Sequence, residues 1–246
     1  MLIKACLNGA RGADAHARLP VTPEALATDA AACAAVGAGA FHIHPRNAEG
    51  RESLHPDDVG AAVRAVRSAC PELPVGVTTG AWIEPDPHRR TALIRSWSDL
   101  PASDQPDFAS VNVSEAGWKQ VATTLLDIGI GVEPGIWFAD DPPRLAASGL
   151  APLCTRILVE PLSSDPAAAI GTVETLLAAL SPLAGEVPLL VHGQDAAAWP
   201  VLEWALDNDL DTRIGLEDTL ELPDGLIAPD NAALVAAAFA YLTERH

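Results

Sequence analysis

Two histidines, His42 and His44, stand one residue apart in the segment FHIHPR, which spans residues 41–46. On a β-strand, side chains two positions apart point to the same side, so both imidazoles can reach one cation. The spacing therefore indicates a two-histidine metal clamp at the end of a strand. The alternative is a pair of histidines packed beside a strand end, since so short a motif also occurs without a metal.

A catalytic zinc commonly takes two imidazoles and one carboxylate from the protein and keeps a further position open. Glu217, in the segment RIGLEDT, is the first choice for the carboxylate, because it follows the last predicted strand. In a closed barrel that strand lies next to the first strand and close to the second. Glu133 and Glu160 are rival carboxylates, and His192 is a candidate fourth ligand. A salt bridge or a helix cap is the alternative role for Glu217.

Asp218 follows Glu217 directly, and Arg213 lies four residues before Glu217, inside a predicted strand. A carboxylate beside a metal ligand suits a general base or a group that orients one. An arginine on an otherwise apolar strand needs an anionic partner. We therefore expect proton transfer by Asp218 and contact with an anionic substrate or cofactor by Arg213. A buried structural ion pair is the alternative role for Arg213.

Two segments that contain glycine supply further polar groups. NGAR, residues 8–11, presents Arg11 after a glycine turn, and an arginine there suits a carboxylate or a phosphate. VTTGAW, residues 77–82, offers the hydroxyl of Thr78 beside a glycine that lets backbone amides approach a ligand. The sequence contains no GxSxG, Walker or GxGxxG motif, so it lacks the motifs of serine hydrolases, P-loop enzymes and Rossmann dinucleotide binders.

The elements that must position these side chains follow one repeated pattern. Short β-branched segments alternate with longer alanine-rich amphipathic segments, which is typical of βα units around a parallel sheet. The predicted strands are 2–7, 40–44, 74–79, 108–112, 131–136, 155–160, 187–192 and 212–216. The predicted helices lie near 23–37, 56–70, 88–98, 115–128, 141–148, 165–181, 195–208 and 230–244.

Eight such pairs predict an α/β protein with one domain, residues 1–246, folded as a (β/α)8 TIM barrel. In that fold the chemistry takes place at the carboxyl ends of the strands. Nearly every predicted strand ends in a polar group there. These groups are Asn8, His42, His44, Thr78, Thr79, Asn112, Glu133, Glu160, His192, Glu217 and Asp218.

Composition limits the classes of partner. A formal net charge of −18 opposes general binding to nucleic acid or to anionic lipid, although a local arginine can still hold a small anion. The longest apolar runs are too short for a membrane helix, and the N-terminal segment does not have the pattern of a signal peptide. The four cysteines are scattered without metal-binding spacing. We therefore expect a cytoplasmic protein with free thiols.

The segments LNGAR, HIHPR, TTGAW, SVN, RIGLEDT and DNAALV together resemble the β-keto acid cleavage enzyme family, whose named member is the 3-keto-5-aminohexanoate cleavage protein. The resemblance extends over nearly the whole chain. Its most specific parts are HxHxR after the second predicted strand and RxGxED after the last one. These two motifs are more diagnostic together than either is alone.

The resemblance implies a zinc-dependent barrel, or one with another divalent metal, that condenses a β-keto acid with acetyl-CoA. The products would be acetoacetate and a new acyl-CoA. By matching position, His42, His44 and Glu217 would hold the metal, while Arg213, Asp218 and Thr78 would be catalytic. The expected substrate contacts are Arg11, Arg46, Asn112, Glu133 and His192. Family habit also implies a homo-oligomer.

One departure affects the expected substrate. The named member has a glutamate after the glycine turn of the first strand, where this chain has Arg11. The change of charge predicts an acidic or neutral β-keto acid rather than an amino-substituted one. Two other functions remain open from the residues alone: a metal-dependent hydrolase of esters or amides on the same barrel, and a ligand-binding barrel without catalysis.

Overall fold

A computed structural model of the chain describes residues 1–183 and 187–244, so residues 184–186 and 245–246 of the predicted domain lie outside the described residues. Eight parallel strands form a closed barrel in which each strand pairs with the next and β8 pairs with β1. The strands are β1 (Ile3–Cys6), β2 (Ala40–Ile43), β3 (Val75–Thr78), β4 (Phe108–Asn112), β5 (Gly131–Ile136), β6 (Ile157–Val159), β7 (Leu189–Val191) and β8 (Asp211–Ile214). The predicted (β/α)8 TIM barrel is thereby confirmed.

An α-helix follows each strand in the described chain. The helices are α1 (Pro23–Ala35), α2 (Pro56–Ala69), α3 (Pro87–Arg95), α4 (Trp118–Asp127), α5 (Asp141–Ser148), α6 (Pro166–Leu180), α7 (Ala198–Asp207) and α8 (Asn231–Glu244). Side chains cap the amino ends of α1 and α6. The hydroxyl of Thr22 accepts from the amide of Ala25 at 3.2 Å, and the carboxylate of Asp165 accepts from the amide of Ala168 at 2.8 Å.

Three helices differ from the predicted bounds by three residues at one end. The predicted helix 88–98 ends as α-helix at Arg95 and continues as a short 3-10 helix, Ser96–Asp99. The predicted helix 115–128 starts only at Trp118, because the preceding residues form consecutive turns in which amides bond to carbonyls three positions back. The predicted helix 195–208 likewise opens with a 3-10 turn, so α7 starts at Ala198. Hydrophobic periodicity does not distinguish such turns from α-helix.

The apolar core lies between the strands and the surrounding helices. Phe41 and Ile43 alternate with the histidines of β2, are fully buried, and belong to one cluster with Val59 and Val63 of α2. Full burial of a side chain such as Phe41 contributes on the order of 2 kcal/mol. Alternation along β2 therefore fixes the histidines by anchoring their apolar neighbours on the opposite face.

The barrel interior also contains a buried ion-pair network. Nζ of Lys4 lies 2.5 Å from Oε2 of Glu133, and a guanidinium nitrogen of Arg156 lies 2.5 Å from Oε1 of the same carboxylate. The side chains of Lys4 and Glu133 have no solvent exposure. Since Arg156 directly precedes β6 and also faces Asp211 at the start of β8, the network lies toward the amino ends of these strands.

Asn231, the first residue of α8, forms hydrogen bonds to the segments that follow β1 and β8. Its Oδ1 accepts from the amide of Leu216 at 2.6 Å, and its Nδ2 donates to the carbonyl of Leu7 at 2.8 Å. The same Nδ2 donates to Oδ2 of Asp29 on α1 at 2.5 Å. One buried amide thus holds the segments after β1 and β8 in a fixed relation, beside the seam where the barrel closes.

One helical stretch, 166–183, is long and apolar enough to cross a membrane by length and composition alone. It comprises α6 and the turn after it, and one face of α6 packs into the core between barrel and helices. One helix that meets these two criteria is weak evidence for a membrane span.

Candidate active site and metal centre

The proposed metal ligands converge at the carboxyl ends of β2 and β8. His42, His44 and Glu217 each offer one ligand atom, and these atoms all lie within 4.8 Å of one another. Nε2 of His42 is 3.2 Å from Nε2 of His44, which is 3.7 Å from Oε1 of Glu217. Within the part of the chain that the structure describes, this is the one such group of three, and the rivals Glu133 and Glu160 do not join it.

The chemistry of these three side chains fits a divalent cation. Burial lowers the pKa of His42 well below its usual value, and the positive charges of neighbouring basic groups act in the same direction, so its imidazole is neutral as a ligand must be. Oε2 of Glu217 is buried without a hydrogen-bond partner among the described residues. A buried carboxylate oxygen without a donor is costly, and a cation would satisfy it. Two imidazoles and one carboxylate match a common catalytic zinc set.

The backbone around the ligands is held by Asn8 and Gly9. The side-chain amide of Asn8 donates to the carbonyl of His44 at 2.9 Å, and its oxygen accepts from the amide of His44 at 2.8 Å. Gly9 has a φ of 55°, and a β-carbon there would lie 2.5 Å from Cγ of Glu217. Glycine is therefore required at this turn both for the backbone conformation and for the space that Glu217 occupies.

Glu52, which the sequence analysis did not single out, orients His44. Its Oε1 lies 2.5 Å from Nδ1 of His44, and its Oε2 accepts from the indole nitrogen of Trp82 at 3.0 Å. A carboxylate on the second nitrogen of a ligand histidine fixes the ring and makes the first nitrogen a better donor to metal. An isolated antiparallel bridge between Arg46 and Glu52 brings this carboxylate back to the strand end. The turn signal in RNAEGRE is the pattern that could have predicted it.

Arg213 and Asp218 form a buried pair next to the ligands. One guanidinium nitrogen of Arg213 lies 2.8 Å from Oδ1 of Asp218 and 3.0 Å from Oε1 of Glu217. Burial alone would lower the pKa of Arg213, but Asp218 and other nearby acidic groups raise it well above its usual value. Burial alone would raise the pKa of Asp218, but Arg213 brings it below the usual range. Oδ2 of Asp218 is buried without a partner among the described residues.

A cavity of about 430 Å³ opens in front of His42, His44, Glu217 and Arg213, whereas Asp218 has no solvent exposure and does not line it. Seven of the side chains predicted to bind metal or substrate or to be catalytic line this cavity. Other lining residues are Trp82, Trp137, Glu160, Leu162, Gln194 and Asp195. The predicted residues in the lining are Arg11, His42, His44, Thr78, Asn112, Arg213 and Glu217. The structure thus brings together most of the polar groups predicted from separate strand ends.

Three predicted substrate contacts are placed elsewhere. Glu133 is sealed in its ion pairs with Lys4 and Arg156 and does not line the cavity. The polarity that predicted a contact with substrate here reflects internal charge pairing.

Arg46 and His192 are the other two corrections. The guanidinium of Arg46 donates to the carbonyls of Gly9, Arg11 and Gly50, so it braces the loop after β1 instead of reaching a ligand. His192 has no solvent exposure and does not line the cavity. Its imidazole lies between two carboxylates, with Nδ1 3.6 Å from Oδ1 of Asp218 and Nε2 3.6 Å from Oε2 of Glu160.

Arg11 lines the cavity but is already paired. Its NH2 group lies 2.7 Å from Oδ1 of Asp195, and its Nε donates to the carbonyl of Glu217 at 3.2 Å. Asp195 has a φ of 49°, and its amide donates to the carbonyl of Asp218 at 2.7 Å. The loops after β1, β7 and β8 are therefore linked through this pair at the cavity mouth.

Comparison with known proteins relates the chain to one family and to several barrels. A family model described as beta-keto acid cleavage enzyme matches residues 1–246. The apo structure of ObcA superposes with a TM-score of 0.68 at 18% identity, covering 93% of this chain and 62% of that chain. A ternary complex of ObcA with a C4-CoA adduct and oxalate gives the same TM-score and identity, covering 93% and 64%.

A third structure, 3-hexulose-6-phosphate synthase from Salmonella typhimurium, has a TM-score of 0.63 at 15% identity and is covered in full, as is this chain. Identities this low establish a shared barrel fold and no more. The chain spans less than two thirds of the length of ObcA.

Proposed function

Because the chain belongs to the beta-keto acid cleavage enzyme family, we propose that it transfers an acyl group from a β-keto acid to CoA, using acetyl-CoA and a bound divalent metal, with zinc as the first choice. The keto acid loses its acyl group to the thiol of CoA, and the acetyl group of acetyl-CoA takes its place. The products are acetoacetate and a new acyl-CoA. One carbon–carbon bond and one thioester break, and one of each forms, so no oxidant or reductant is needed.

His42, His44 and Glu217 would hold the metal. When bound, a divalent ion supplies Lewis acidity that polarises the oxygens of the keto acid and makes the carbon between them more acidic. Asp218 would take the proton from that carbon, directly or through a water molecule, because its Oδ2 has no hydrogen-bond partner among the described residues and Arg213 keeps its carboxylate ionised. The same proton returns to carbon after the bond to the departing acyl group breaks, so Asp218 is regenerated.

The remaining cavity residues bind and position the substrate in this proposal. Arg213 neutralises negative charge next to the ligands, where its guanidinium already faces Glu217 and Asp218. Thr78 and Asn112 present a hydroxyl and an amide to the cavity from β3 and β4, suited to hydrogen bonds with the keto acid or the thioester. Fixed donors of this kind hold the reacting carbon atoms in line, which lowers the entropic cost of a two-substrate reaction.

A single observation carries the proposal: three ligand atoms within 4.8 Å of one another lie beside the buried Arg213–Asp218 pair in a chain of this family. The homo-oligomer that the resemblance implies and the cytoplasmic location expected from the sequence remain predictions.

The direct test is a two-substrate assay of purified protein loaded with zinc. A panel of β-keto acids is incubated with acetyl-CoA, acetoacetate is quantified, and the new acyl-CoA is identified by mass spectrometry. Equal amounts of both products are expected, and His44→Ala is expected to lose both the bound metal and the activity. Turnover that proceeds without acetyl-CoA would contradict the proposal and support the metal-dependent hydrolase considered from the sequence.

A further inference from the structure

Glu115 is a nearly buried carboxylate between β4 and α4 that takes no part in the proposed function so far. Its side chain is 10% exposed and does not line the cavity. Its Oε2 accepts from the backbone amide of Ala81 at 3.0 Å and from a guanidinium nitrogen of Arg90 at 3.2 Å. Its Oε1 accepts from Nδ2 of Asn112 at 2.9 Å. Of these three donors, the one on a cavity-lining residue belongs to Asn112.

The bond to Glu115 fixes which end of the Asn112 amide faces the cavity. An ionised carboxylate only accepts hydrogen bonds, so Nδ2 of Asn112 must point to Glu115 and Oδ1 must point away. Among residues 1–183 and 187–244, no donor bonds to Oδ1, and this atom is not buried. A β-carbon at Gly135, which pairs with Asn112 on β5, would lie 2.6 Å from Oδ1. Glycine there leaves this oxygen uncovered, so Asn112 presents an acceptor to the cavity.

An acceptor at this position matches one of the two proposed substrates better than the other. The carboxylate and the ketone of a β-keto acid accept hydrogen bonds and donate none. The arm of acetyl-CoA contains amide N–H groups, and these donate. A polar atom that a ligand covers without a hydrogen bond weakens binding, so a donor is favoured opposite Oδ1 of Asn112.

We propose that Asn112 accepts a hydrogen bond from the amide of acetyl-CoA nearest the thioester, and that Glu115 is the positioning residue that keeps Oδ1 turned to that amide. This assignment rests on the proposed function, since it concerns the second substrate of that reaction. The amide nearest the thioester is the one within reach, because the acetyl group must meet the keto acid beside His42, His44 and Glu217 in the same cavity. The thioester arm then lies along the end of β4.

Replacement of Glu115 by glutamine predicts a reversal of preference. The glutamine oxygen must stay with the donors of Ala81 and Arg90, so the glutamine NH2 group faces Asn112. Two NH2 groups cannot bond to each other, so the Asn112 amide turns and offers NH2 to the cavity in place of Oδ1. A role of Glu115 in stability alone would weaken every ligand to the same extent.

The test compares acetyl-CoA with the analogue in which an ester oxygen replaces the N–H of the amide nearest the thioester. Binding to the zinc-loaded protein is measured by calorimetry without keto acid, and acetoacetate formation is measured with it. The wild type is expected to bind acetyl-CoA about tenfold more tightly than the ester analogue. Glu115→Gln is expected to bring this ratio to about one or below. Glu84→Gln, at a carboxylate that bonds to the amide of Asp86, is the matched control and should leave the ratio unchanged.

Three outcomes would overturn the proposal: no binding of acetyl-CoA, a wild type that binds both thioesters equally, or a ratio that Glu115→Gln leaves unchanged. If Glu115→Gln does not fold, Asn112→Ala removes the acceptor and must bring the ratio to about one. Acetoacetate formation with a ratio that ignores position 115 would remove this contact and leave the proposed reaction intact. A ratio that depends on Glu115 without acetoacetate from any keto acid would remove the reaction and support the contact.

Discussion

Oε1 of Glu52 lies 2.5 Å from Nδ1 of His44, so a carboxylate from a short loop fixes the ring of a histidine that we propose as a metal ligand. Glu52→Gln should lower metal affinity by about 10- to 100-fold, because the amide holds the ring less strongly and reduces the basicity of the ligand nitrogen. Competition with a chromophoric zinc chelator measures the change. Glu49→Gln, in the same loop but exposed, is the control. Equal affinities in the two variants would contradict the role given to Glu52.

Gly9→Ala is predicted to damage the metal centre more than the fold. A β-carbon at this position would lie 2.5 Å from Cγ of Glu217, so the carboxylate must move away from the two histidines. Gly129→Ala separates this displacement from backbone strain, since Gly129 also has positive φ, 82°, but a β-carbon there meets no atom within 4 Å. Both variants should lose about 1 kcal/mol of stability from the left-handed conformation. Only Gly9→Ala should lose stoichiometric zinc, as measured by elemental analysis after gel filtration.

Glu133→Gln is predicted to be strongly destabilising. The change leaves Lys4 and Arg156 without their shared carboxylate in the barrel interior, and breaking a buried pair of this kind costs about 3–5 kcal/mol. Urea unfolding monitored by circular dichroism gives the difference. Adding Lys4→Met to Glu133→Gln should recover part of the loss, because it removes one of the unpaired charges. A cost in Glu133→Gln no larger than that of Arg51→Gln, at an exposed surface pair, would show that the network contributes little.

Asp29 makes the stability of the fold depend on pH. Burial raises its pKa to about 6, against an ordinary value of 3.8, although the bond from Asn231 acts in the opposite direction. The folded protein therefore binds this proton more tightly than the unfolded chain. The resulting stabilisation is complete below the unfolded pKa and is lost as the pH rises through the folded value.

The measurable quantity is the difference in unfolding free energy between wild type and Asp29→Asn. Between about pH 4 and pH 7.5, the wild type should lose on the order of 2–3 kcal/mol relative to the variant. Asp127→Asn, at an exposed position on α4, is the control and should show no such trend. A difference between wild type and Asp29→Asn that stays constant with pH would exclude Asp29 as the titrating group.

Local patterns were sufficient to predict the barrel and the convergence of His42, His44 and Glu217. The period of two along 42–44 places both histidines on one face, and closure of eight βα units brings Glu217 to the same mouth. Sequence position alone did not reveal which polar groups pair with each other. A charged side chain such as Glu133 or Arg46 in a predicted βα unit needs a polar partner, and a substrate is one candidate. Only the three-dimensional arrangement shows that the partner is another group of the protein.

Glu52 and Asp195 were missed for a different reason. Both lie in connecting segments, where side-chain direction depends on turn geometry that hydrophobic period does not encode. Their contacts with His44 and Arg11 are non-local or cross a loop, so no short motif marks them.

The hydrogen bonds of Asn231 have a consequence for the stage of synthesis at which the candidate metal centre can form. Synthesis delivers His42 and His44 early, whereas Glu217 and the Asn231 side chain that fastens its segment to Leu7 come near the end of the described chain. A nascent chain that has emerged as far as β7 already carries both imidazoles but lacks the carboxylate and the seam that positions it. We expect the complete three-ligand centre to form only when the last strand closes the barrel, which makes metal loading a late event in the life of each new molecule.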